Sequence, residues 1–416
     1  MTVIRLSTRC VLVLLALAAA CAQAQDLRRA FVTSTAGSGN LSTWADAGGQ
    51  AGLAAADAIC QARAADGGMA NPNNFVAWLS DENDDAYCRV HGLTGKKADN
   101  CGQAELPAAA GPWVRTDGYP FADAIESMLA PDYRVIAPLQ YNEFGARVTT
   151  SPPHYFTGSD ENGAARIEGI TGVCENWTSA TGQATGGETT STGRRWNFGT
   201  NYSCATGRLA CLERVPGAAL PRLRTPGRLA FVTSVGGTGD LSTWPAAGDQ
   251  TGIAAGDAIC QNLAADAGLP QADSFKAWLS DSSNNAIDRL VHDGPWVRLD
   301  GALFAEDKAG LTATQRPVPL NLTETGVYLG EESVRTATRP TGRLNTAASE
   351  TACGDWTSEA LGVSTTGGRP VFIGANWTAG LGRPCSDPTP RLYCLADFEF
   401  IPPVDELFAD RFEAPP

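Results

Sequence analysis

The stretch DAICQ at positions 57–61 occurs a second time, unchanged, at positions 257–261. The same offset of 200 positions relates FVTS at 31–34 to 231–234 and AWLSD at 77–81 to 277–281. Solenoid repeats run about 20 to 50 residues, so two copies of a much longer unit indicate two globular domains in tandem. We therefore expect one domain at 28–215, a linker at 216–227 and a second domain at 228–399.

Each copy presents the same order of secondary-structure signals. An apolar strand opens the copy, and a helix follows with Ile and Cys at helical spacing and glycine at its end, over 53–65 and 253–265. Short strands come next, and the last one carries a cysteine, at 208–212 and 391–395. Abundant glycine and proline suit short strands joined by loops. The sequence predicts an α+β fold, strand-rich, with one main helix in each copy.

The first 24 residues stand outside both copies. Arg5 and Arg9 precede an apolar run at 11–20, and small residues occupy the cleavage-site positions at 22–24. This pattern predicts a secretory signal peptide, and the run is too short to span a bilayer. The alternative is a lipoprotein signal, with a lipid anchor at Cys21. We expect a secreted, extracellular protein, with an outer-membrane lipoprotein or a periplasmic location as the alternative.

The charge of the chain limits its partners. With 31 basic and 45 acidic residues the net charge is -14, and removal of Arg5 and Arg9 with the signal peptide makes it more negative still. A surface this acidic makes nucleic acid or an anionic membrane an unfavourable partner. No later segment is long and apolar enough to predict a transmembrane helix.

Cysteines in an exported protein are expected to pair with each other. Six cysteines fall in the first copy and four in the second, so both counts are even. Cys88 and Cys101 lie in a stretch of 17 residues that the second copy lacks between its equivalents of Trp78 and Trp113, and most simply pair with each other. No Cys-x-x-Cys pair and only three histidines are present, which argues against zinc.

A family resemblance follows from these motifs in their order: FVTS, DAICQ, AWLSD, GPWVR, Cys-x-x-Trp-Thr-Ser and the closing cysteines. Together they resemble a bacterial domain of unknown function (DUF1554) in the endostatin-like branch of the C-type lectin-like fold. The resemblance covers 28–215 and 228–399. It implies two tandem C-type lectin-like domains with nested disulfides, which are Cys60–Cys211, Cys174–Cys204, Cys260–Cys394 and Cys353–Cys385.

Calcium-dependent sugar binding is one function that this resemblance raises. Sugar-binding relatives carry Glu-Pro-Asn or Gln-Pro-Asp and a Trp-Asn-Asp triplet, but here Phe198 follows Trp196-Asn197 and Thr378 follows Trp377. A calcium site needs six to eight oxygen ligands, and these are missing. We expect Trp196 and Trp377 to belong to the framework, and the acidic run at 81–85 to be a solvated loop. No metal or cofactor is expected, and a calcium-dependent lectin is the alternative.

The second class of function to consider is enzymatic activity. The sequence has no Gly-x-Ser-x-Gly, no His-Glu-x-x-His and no phosphate-binding loop. Every cysteine that remains after removal of the signal peptide has a predicted partner, so no thiol nucleophile is expected. We therefore predict a protein that is not an enzyme. A glycan hydrolase that uses paired carboxylates is kept as a second alternative.

A binding or adhesion protein for a surface or extracellular-matrix ligand, glycan or protein, is the remaining class. The irregular stretch of the first copy is rich in aromatic residues, which suit sugar stacking or a protein hot spot. We predict ligand contacts by Tyr133, Tyr141 and Phe144. YFTG at 155–158 aligned with VYLG at 327–330 assigns Phe156 and Tyr328 to the core instead.

The linker and the tail complete the chain. Three prolines with Arg222, Arg224 and the adjoining Arg228 make the connector stiff and basic, and an extended 216–227 would separate the domains by roughly 35 Å, enough for two independent contacts on one target. The acidic tail at 400–416 is interpreted as a frayed terminus, with a sorting or processing signal as the alternative.

The missing oxygen ligands generate a prediction about calcium. Neither calcium nor a chelator should change the melting temperature, because only a ligand that binds the folded state raises it. Differential scanning calorimetry of the mature protein with calcium and with chelator measures this. A rise of several degrees in calcium would support the lectin alternative.

Overall fold

The computed structural model describes residues 27–166, 171–214, 217–346, 352–400 and 412–413. It is α+β, rich in strands, with few helices and several disulfides. The predicted signal peptide at 1–24, Cys21 and most of the tail at 400–416 lie outside the described residues. Within the described ranges no helix is long and apolar enough to cross a membrane.

Nine strands of the first copy, which we call the first repeat, form one sheet. They are β1 (Arg28–Val32), β2 (Phe75–Ala77), β3 (Trp113–Arg115), β4 (Pro120–Ala122), β5 (His154–Phe156), β6 (Thr171–Gly172), β7 (Gln183–Glu188), β8 (Thr200–Ser203) and β9 (Arg208–Glu213). The order is β4-β3-β1-β9-β5-β7-β6, with β2 on β9 and β8 on β7. The opening strand β1 therefore lies antiparallel beside the closing strand β9.

The helices of the first repeat are α1 (Gly52–Asp66), α2 (Ala86–Val90) and α3 (Ile125–Met128). Helix α1 is the main helix that the sequence predicts. Its buried residues recur at the three- and four-residue spacing of one helix face and are mostly small: Ala55, Ala56, Ile59, Cys60 and Ala64. Small residues let α1 approach β2 and β9 closely enough for a disulfide between helix and sheet.

The second repeat (228–399) follows the same order of elements after a short strand β10 (Arg222–Leu223). Its strands are β11 (Arg228–Val232), β12 (Phe275–Ala277), β13 (Trp296–Val297), β14 (Leu303–Ala305), β15 (Val334–Arg335), β16 (Ser364–Gly368), β17 (Leu381–Pro384) and β18 (Tyr393–Ala396). Its helices are α4 (Gly252–Asp266), α5 (Ala286–Arg289) and α6 (Lys308–Thr312). These strands form sheets in the orders β12-β18-β11-β13-β14 and β15-β16-β17. At the end of the chain, β19 (Phe412–Glu413) pairs with β10.

Five disulfides join these elements: Cys60–Cys211, Cys88–Cys101, Cys174–Cys204, Cys260–Cys394 and Cys353–Cys385. They are the same five pairs that the sequence analysis predicts. The first and fourth connect the main helix of each repeat to its closing strand. The third and fifth hold the less regular region that precedes the closing strand.

Tryptophan pairs fill the core on the side of the sheet away from the main helix. Trp78 and Trp196 lie 5.2 Å apart between ring centroids, and Trp278 and Trp377 lie 5.3 Å apart. Trp196 and Trp377 are fully buried, and Trp196 donates its indole hydrogen to the carbonyl of Met128 at 2.8 Å. Both are framework residues, as the sequence predicts.

The register of the strands corrects the alignment of Phe156 with Tyr328. Phe156 pairs with Gly186 and Arg335 with Gly367, so Phe156 and Arg335 occupy equivalent positions. Tyr328 is instead equivalent to Arg147, because the bridges Tyr141–Arg147 and Leu322–Tyr328 match. Phe156 is buried as predicted. Tyr328 is half-buried and donates its hydroxyl hydrogen to Asp300 at 2.6 Å, so its assignment to the core is wrong.

The two repeats contact each other directly. The amide of Thr192 donates to the carbonyl of Val371 at 2.9 Å, and the amide of Ile373 donates to the carbonyl of Thr190 at 3.1 Å. Glu331 of the second repeat forms ion pairs with both Arg194 and Arg195 of the first. This contact differs from the separation of roughly 35 Å expected of an extended linker.

The segments that meet are equivalent in the two repeats. Residues 190–192 lie four to six positions before Trp196, and 371–373 lie four to six positions before Trp377. Ser191 and Phe372 face each other in an antiparallel bridge, so each repeat contributes the same segment to the junction. Such a contact has the form of a two-fold, isologous interface.

Asp397 holds the chain at 291–292 of the second repeat. In the first repeat, the disulfide-bonded insertion begins at the equivalent position. Its carboxylate accepts hydrogen bonds from the amides of Val291 at 2.9 Å and His292 at 2.8 Å, and from the Lys276 ammonium at 2.7 Å. Burial alone would raise the pKa of Asp397, but these hydrogen bonds outweigh it and lower the pKa to about 2. The charged form therefore stabilises the fold.

Asp397→Asn should remove a pH-dependent part of the stability. Because the folded pKa lies below the ordinary 3.8, the contribution is present above that value and is lost as the pH falls towards 2. We expect the wild type to lose on the order of 2 kcal/mol over this range that Asp397→Asn does not lose. Urea unfolding at pH 4 and pH 2 measures the difference, with the exposed Asp288→Asn as the control. Parallel behaviour of the wild type and Asp397→Asn would contradict the role.

Candidate ligand-binding site

A cleft of about 470 Å³ opens on the first repeat where α1 ends. The segment 67–71 forms one wall, and the turn at 143–145 forms another. Arg29 of β1 and Glu213 of β9 lie at its base. The two central strands and the segment that follows the main helix therefore line the cleft, and the disulfide Cys60–Cys211 connects the helix to β9.

Phe144 lies at the tip of the turn. The side-chain oxygen of Asn142 accepts hydrogen bonds from the amides of Phe144 and Ala146, both at 3.0 Å. Gly145 has φ of 70°, a left-handed conformation that glycine adopts at little cost. This turn leaves Phe144 58% exposed. A large aromatic ring is thus presented to solvent on a hydrogen-bonded turn, which lowers the entropy lost when a ligand orders it.

Glu143, beside Phe144, points the other way and anchors the turn. Its buried carboxylate accepts hydrogen bonds from the amide of Ser34 at 2.9 Å and from the Ser34 hydroxyl, and lies 3.6 Å from the Arg63 guanidinium of α1. A Cβ atom on Gly67 would lie 2.4 Å from the Glu143 carbonyl oxygen. The helix end and the turn therefore approach so closely that only glycine fits at 67.

Glu213 supplies a carboxyl group to the cleft. It is buried, and one oxygen accepts a hydrogen bond from the Arg29 amide at 3.0 Å. Burial raises the pKa of Glu213, although hydrogen bonds from the Arg29 amide and the Asn71 side chain oppose the rise. A carboxyl group with a shifted pKa in a cleft is a candidate ligand contact. With the ring of Phe144 and the amide of Asn71, it could stack on and hydrogen-bond to a sugar or a peptide.

The second repeat keeps the turn that frames this cleft and lacks two of the side chains that line it. Glu324 holds the equivalent turn, because it accepts a hydrogen bond from the Ser234 amide at 2.9 Å. The register of the closing strands places Ala396 at the position of Glu213. Thr325, one residue after Glu324, takes the position of Phe144. The aromatic ring and the carboxyl group are thus specific to the first repeat.

The three predicted contact residues do not meet at one cavity. Phe144 lines the cleft just described, and Tyr141 lines another cavity, of about 210 Å³. The ring of Tyr141 lies near two guanidinium groups, at 4.6 Å from Arg115 and 5.9 Å from Arg147. Tyr133 packs against Gly330 of the second repeat, where a Cβ atom would lie 2.7 Å from its ring. Ligand contact by any of the three stays a prediction.

The sequence analysis did not identify Glu213 or Asn71 as part of a site. Glu213 is a single acidic residue at the end of an apolar strand, and Asn71 lies in a loop. A signal was nevertheless present. The copies agree closely along the closing strand, yet Glu213 is replaced by Ala396 after the matched cysteines Cys211 and Cys394.

The acidic run at 81–85 is only partly the solvated loop that the sequence predicts, because Glu82 and Asn83 are exposed while Asp81 and Asp85 are buried. Asp85 is only 2% exposed and accepts hydrogen bonds from the amides of Lys97 at 2.7 Å and Ala165 at 2.8 Å. Asp81 closes a tight turn by accepting from the amides of Asn83 and Asp84, both at 2.8 Å. The Asp85 carboxylate therefore holds the insertion to the fold. Over the described ranges, no three potential metal-ligating side chains come together.

No protein-family model matches the chain, and no curated protein is significantly similar to it. The function is therefore argued from the residues of the cleft themselves.

Single alanine substitutions should distinguish an aromatic residue that stabilises the fold from one that is only exposed on the surface. Tyr133→Ala should destabilise the fold by about 1 to 3 kcal/mol, because it removes the contact with Gly330 and a hydrogen bond to Glu161 at 3.0 Å. Phe144→Ala should change stability by less than about 0.5 kcal/mol, since the ring is mostly exposed. Urea unfolding curves measure both. A large loss for Phe144→Ala would mean that the ring serves the fold.

Proposed function

We propose that this chain is a secreted, non-enzymatic binding or adhesion protein with two tandem C-type lectin-like domains. Its ligand is a glycan or a protein on a surface or in the extracellular matrix. The observation that carries the proposal is the exposed ring of Phe144, held by a hydrogen-bonded turn at the edge of a cleft in one repeat only.

The distribution of differences between the repeats supports a binding role. The main helix, the central strands and the buried tryptophans are kept in both repeats. Phe144 and Glu213 differ, and both line the cleft. Binding residues are typically placed on loops above a rigid scaffold, while the scaffold itself is kept for packing.

The disulfides support secretion. Five disulfides in one chain are typical of proteins that fold and persist in an oxidising compartment. The signal-peptide pattern at 1–24 points to the same compartment. Resemblance to the endostatin-like branch of the C-type lectin-like fold agrees with the nested bonds.

The surroundings of the carboxyl groups favour binding over glycan hydrolysis. A glycosidase needs two carboxyl groups that both reach the sugar, about 5 to 10 Å apart. Glu213 faces the cleft, but the neighbouring carboxylate of Glu143 is buried and committed to Ser34 and Arg63. In the same way, Asp81 and Asp85 are committed to backbone amides, which argues against a calcium-dependent lectin centred on that loop.

The test is a ligand screen followed by paired substitutions. The purified full-length mature protein is screened against a glycan array and a panel of extracellular-matrix proteins, with and without calcium. For a protein or an uncharged glycan found in this way, Phe144→Ala should weaken binding by at least about tenfold. Thr325→Ala, at the equivalent turn of the second repeat, should leave binding unchanged.

Two results would contradict the proposal. One is a Phe144→Ala variant that folds and binds as tightly as the wild type, and the other is equal weakening by Thr325→Ala. Hydrolysis of any glycan on the array, abolished by Glu213→Gln, would favour the enzyme alternative instead. Binding that requires calcium would favour the lectin alternative.

A further inference from the structure

A second cleft, of about 360 Å³, lies on the second repeat between residues 281–285 and the turn at 339–346. Hydroxyl and amide side chains supply most of its lining, and Leu344 is the single apolar residue among the described residues that line it. Arg339, Arg343 and Asp281 also line the cleft, and the Asp281 carboxylate accepts hydrogen bonds from the amides of Ser283 at 2.9 Å and Asn284 at 2.6 Å. Most small-molecule sites are lined predominantly by apolar and aromatic side chains, and this cleft is not.

This cleft is open because the second repeat lacks the insertion of the first. In the first repeat, the Lys97 ammonium of the insertion donates to the carbonyl of Asn162 at 2.9 Å. The Lys97 amide also bonds to Asp85, so the insertion crosses from the acidic run to the opposite turn. The second repeat has no equivalent of these residues, and the same space becomes a cleft.

The charge of the turn is also reversed. The amide of Asp160 donates to the carbonyl of Ala164 at 2.7 Å, and the amide of Arg339 donates to the carbonyl of Arg343 at 2.8 Å. The two turns are therefore equivalent, and Arg339 replaces an acid while Arg343 replaces alanine. The net charge of the whole chain is -14, but this turn carries two positive charges.

The two arginines are placed differently. Arg339 is held by hydrogen bonds to the side chains of Asn345 at 3.2 Å and Thr346 at 2.7 Å. The side chain of Arg343 is 64% exposed, and its ion pair with Asp288 spans 3.9 Å. An exposed ion pair of that length contributes little, so the Arg343 guanidinium can bind another oxyanion at small cost. Guanidinium groups bind carboxylate and sulfate groups through two parallel hydrogen bonds.

We propose that this cleft binds a short segment of an acidic polysaccharide. Arg343, with Arg339 behind it, binds a carboxylate or sulfate group, and the hydroxyl and amide side chains at 282–285 bind sugar hydroxyl groups. An acidic peptide fits less well, because peptide recognition uses apolar or aromatic pockets, and Leu344 is the single apolar side chain among the described residues that line this cleft. The site is separate from the Phe144 cleft, so either assignment can fail without the other.

Four polymers test the proposal on the full-length mature protein by biolayer interferometry in about 0.1 M salt, where long-range charge effects are screened beyond about 10 Å. Heparin carries sulfate and carboxylate groups, polygalacturonate carries carboxylates only, dextran is neutral, and poly-glutamate is an acidic peptide. We expect binding to heparin, to polygalacturonate or to both, and none to dextran or poly-glutamate. The choice between the first two identifies the anionic group.

Substitutions locate the binding. Arg343→Glu should weaken binding to the acidic polysaccharide by about tenfold, and Arg343→Lys should recover part of it. The exposed Arg214→Glu makes the same charge change on the first repeat and should have no effect, and neither should Phe144→Ala. Because Arg343 is exposed, its substitution should leave the melting temperature unchanged.

Several outcomes would overturn the proposal. They are the absence of binding to both acidic polysaccharides, equal binding by Arg343→Glu and the wild type, and an equal loss for Arg214→Glu, which would indicate general charge attraction. Binding to poly-glutamate as tight as to heparin would replace the polysaccharide with an acidic peptide.

Discussion

In each repeat a disulfide joins the main helix to the closing strand, and the rest of the structure depends on that bond. Cys60–Cys211 and Cys260–Cys394 connect residues 151 and 134 positions apart. The closing strand also pairs with the opening strand, where Phe31 faces Cys211. Chain entropy in the unfolded state gives a bond across such a loop roughly 5 kcal/mol as an upper value. The long segment between helix and closing strand can therefore vary without loss of the framework.

One consequence is a backbone conformation that the framework must hold in place. Residues 174–177 and 353–356 all have positive φ, from 46° to 68°, and form a left-handed turn in both repeats. Such a conformation costs about 1 to 2 kcal/mol for each residue that is not glycine. The disulfides at Cys174 and Cys353 and hydrogen bonds from the indoles of Trp177 and Trp356 to the carbonyls of Ser80 and Ser280 stabilise it.

The repeated motifs predicted the main helices and the opening and closing strands, because matched letters at a fixed offset mark matched positions. The four nested disulfides were expected from the family resemblance, and Cys88–Cys101 from the insertion that the second repeat lacks. Where the repeats share few letters, prediction failed. Thr190-Ser191-Thr192 and Val371-Phe372-Ile373 occupy equivalent positions at the junction with no residue in common, so the contact between repeats could not be foreseen. A chance match of short motifs aligned Tyr328 with Phe156, and only the strand register corrected the alignment.

The burial of Asp85 could not be predicted, because a run of acidic residues suggests a solvated loop on composition alone.

The central claim is that both repeats share one framework while ligand-facing residues lie on the first repeat at the Phe144 cleft. Amide hydrogen exchange of the full-length protein, with and without a protein or uncharged-glycan ligand identified by the screen, tests it most directly. The account predicts slower exchange at 67–71 and 142–146 with the ligand bound, and no change at the equivalent 267–271 and 323–327. Equal protection of both sets, or protection confined to the second repeat, would contradict it.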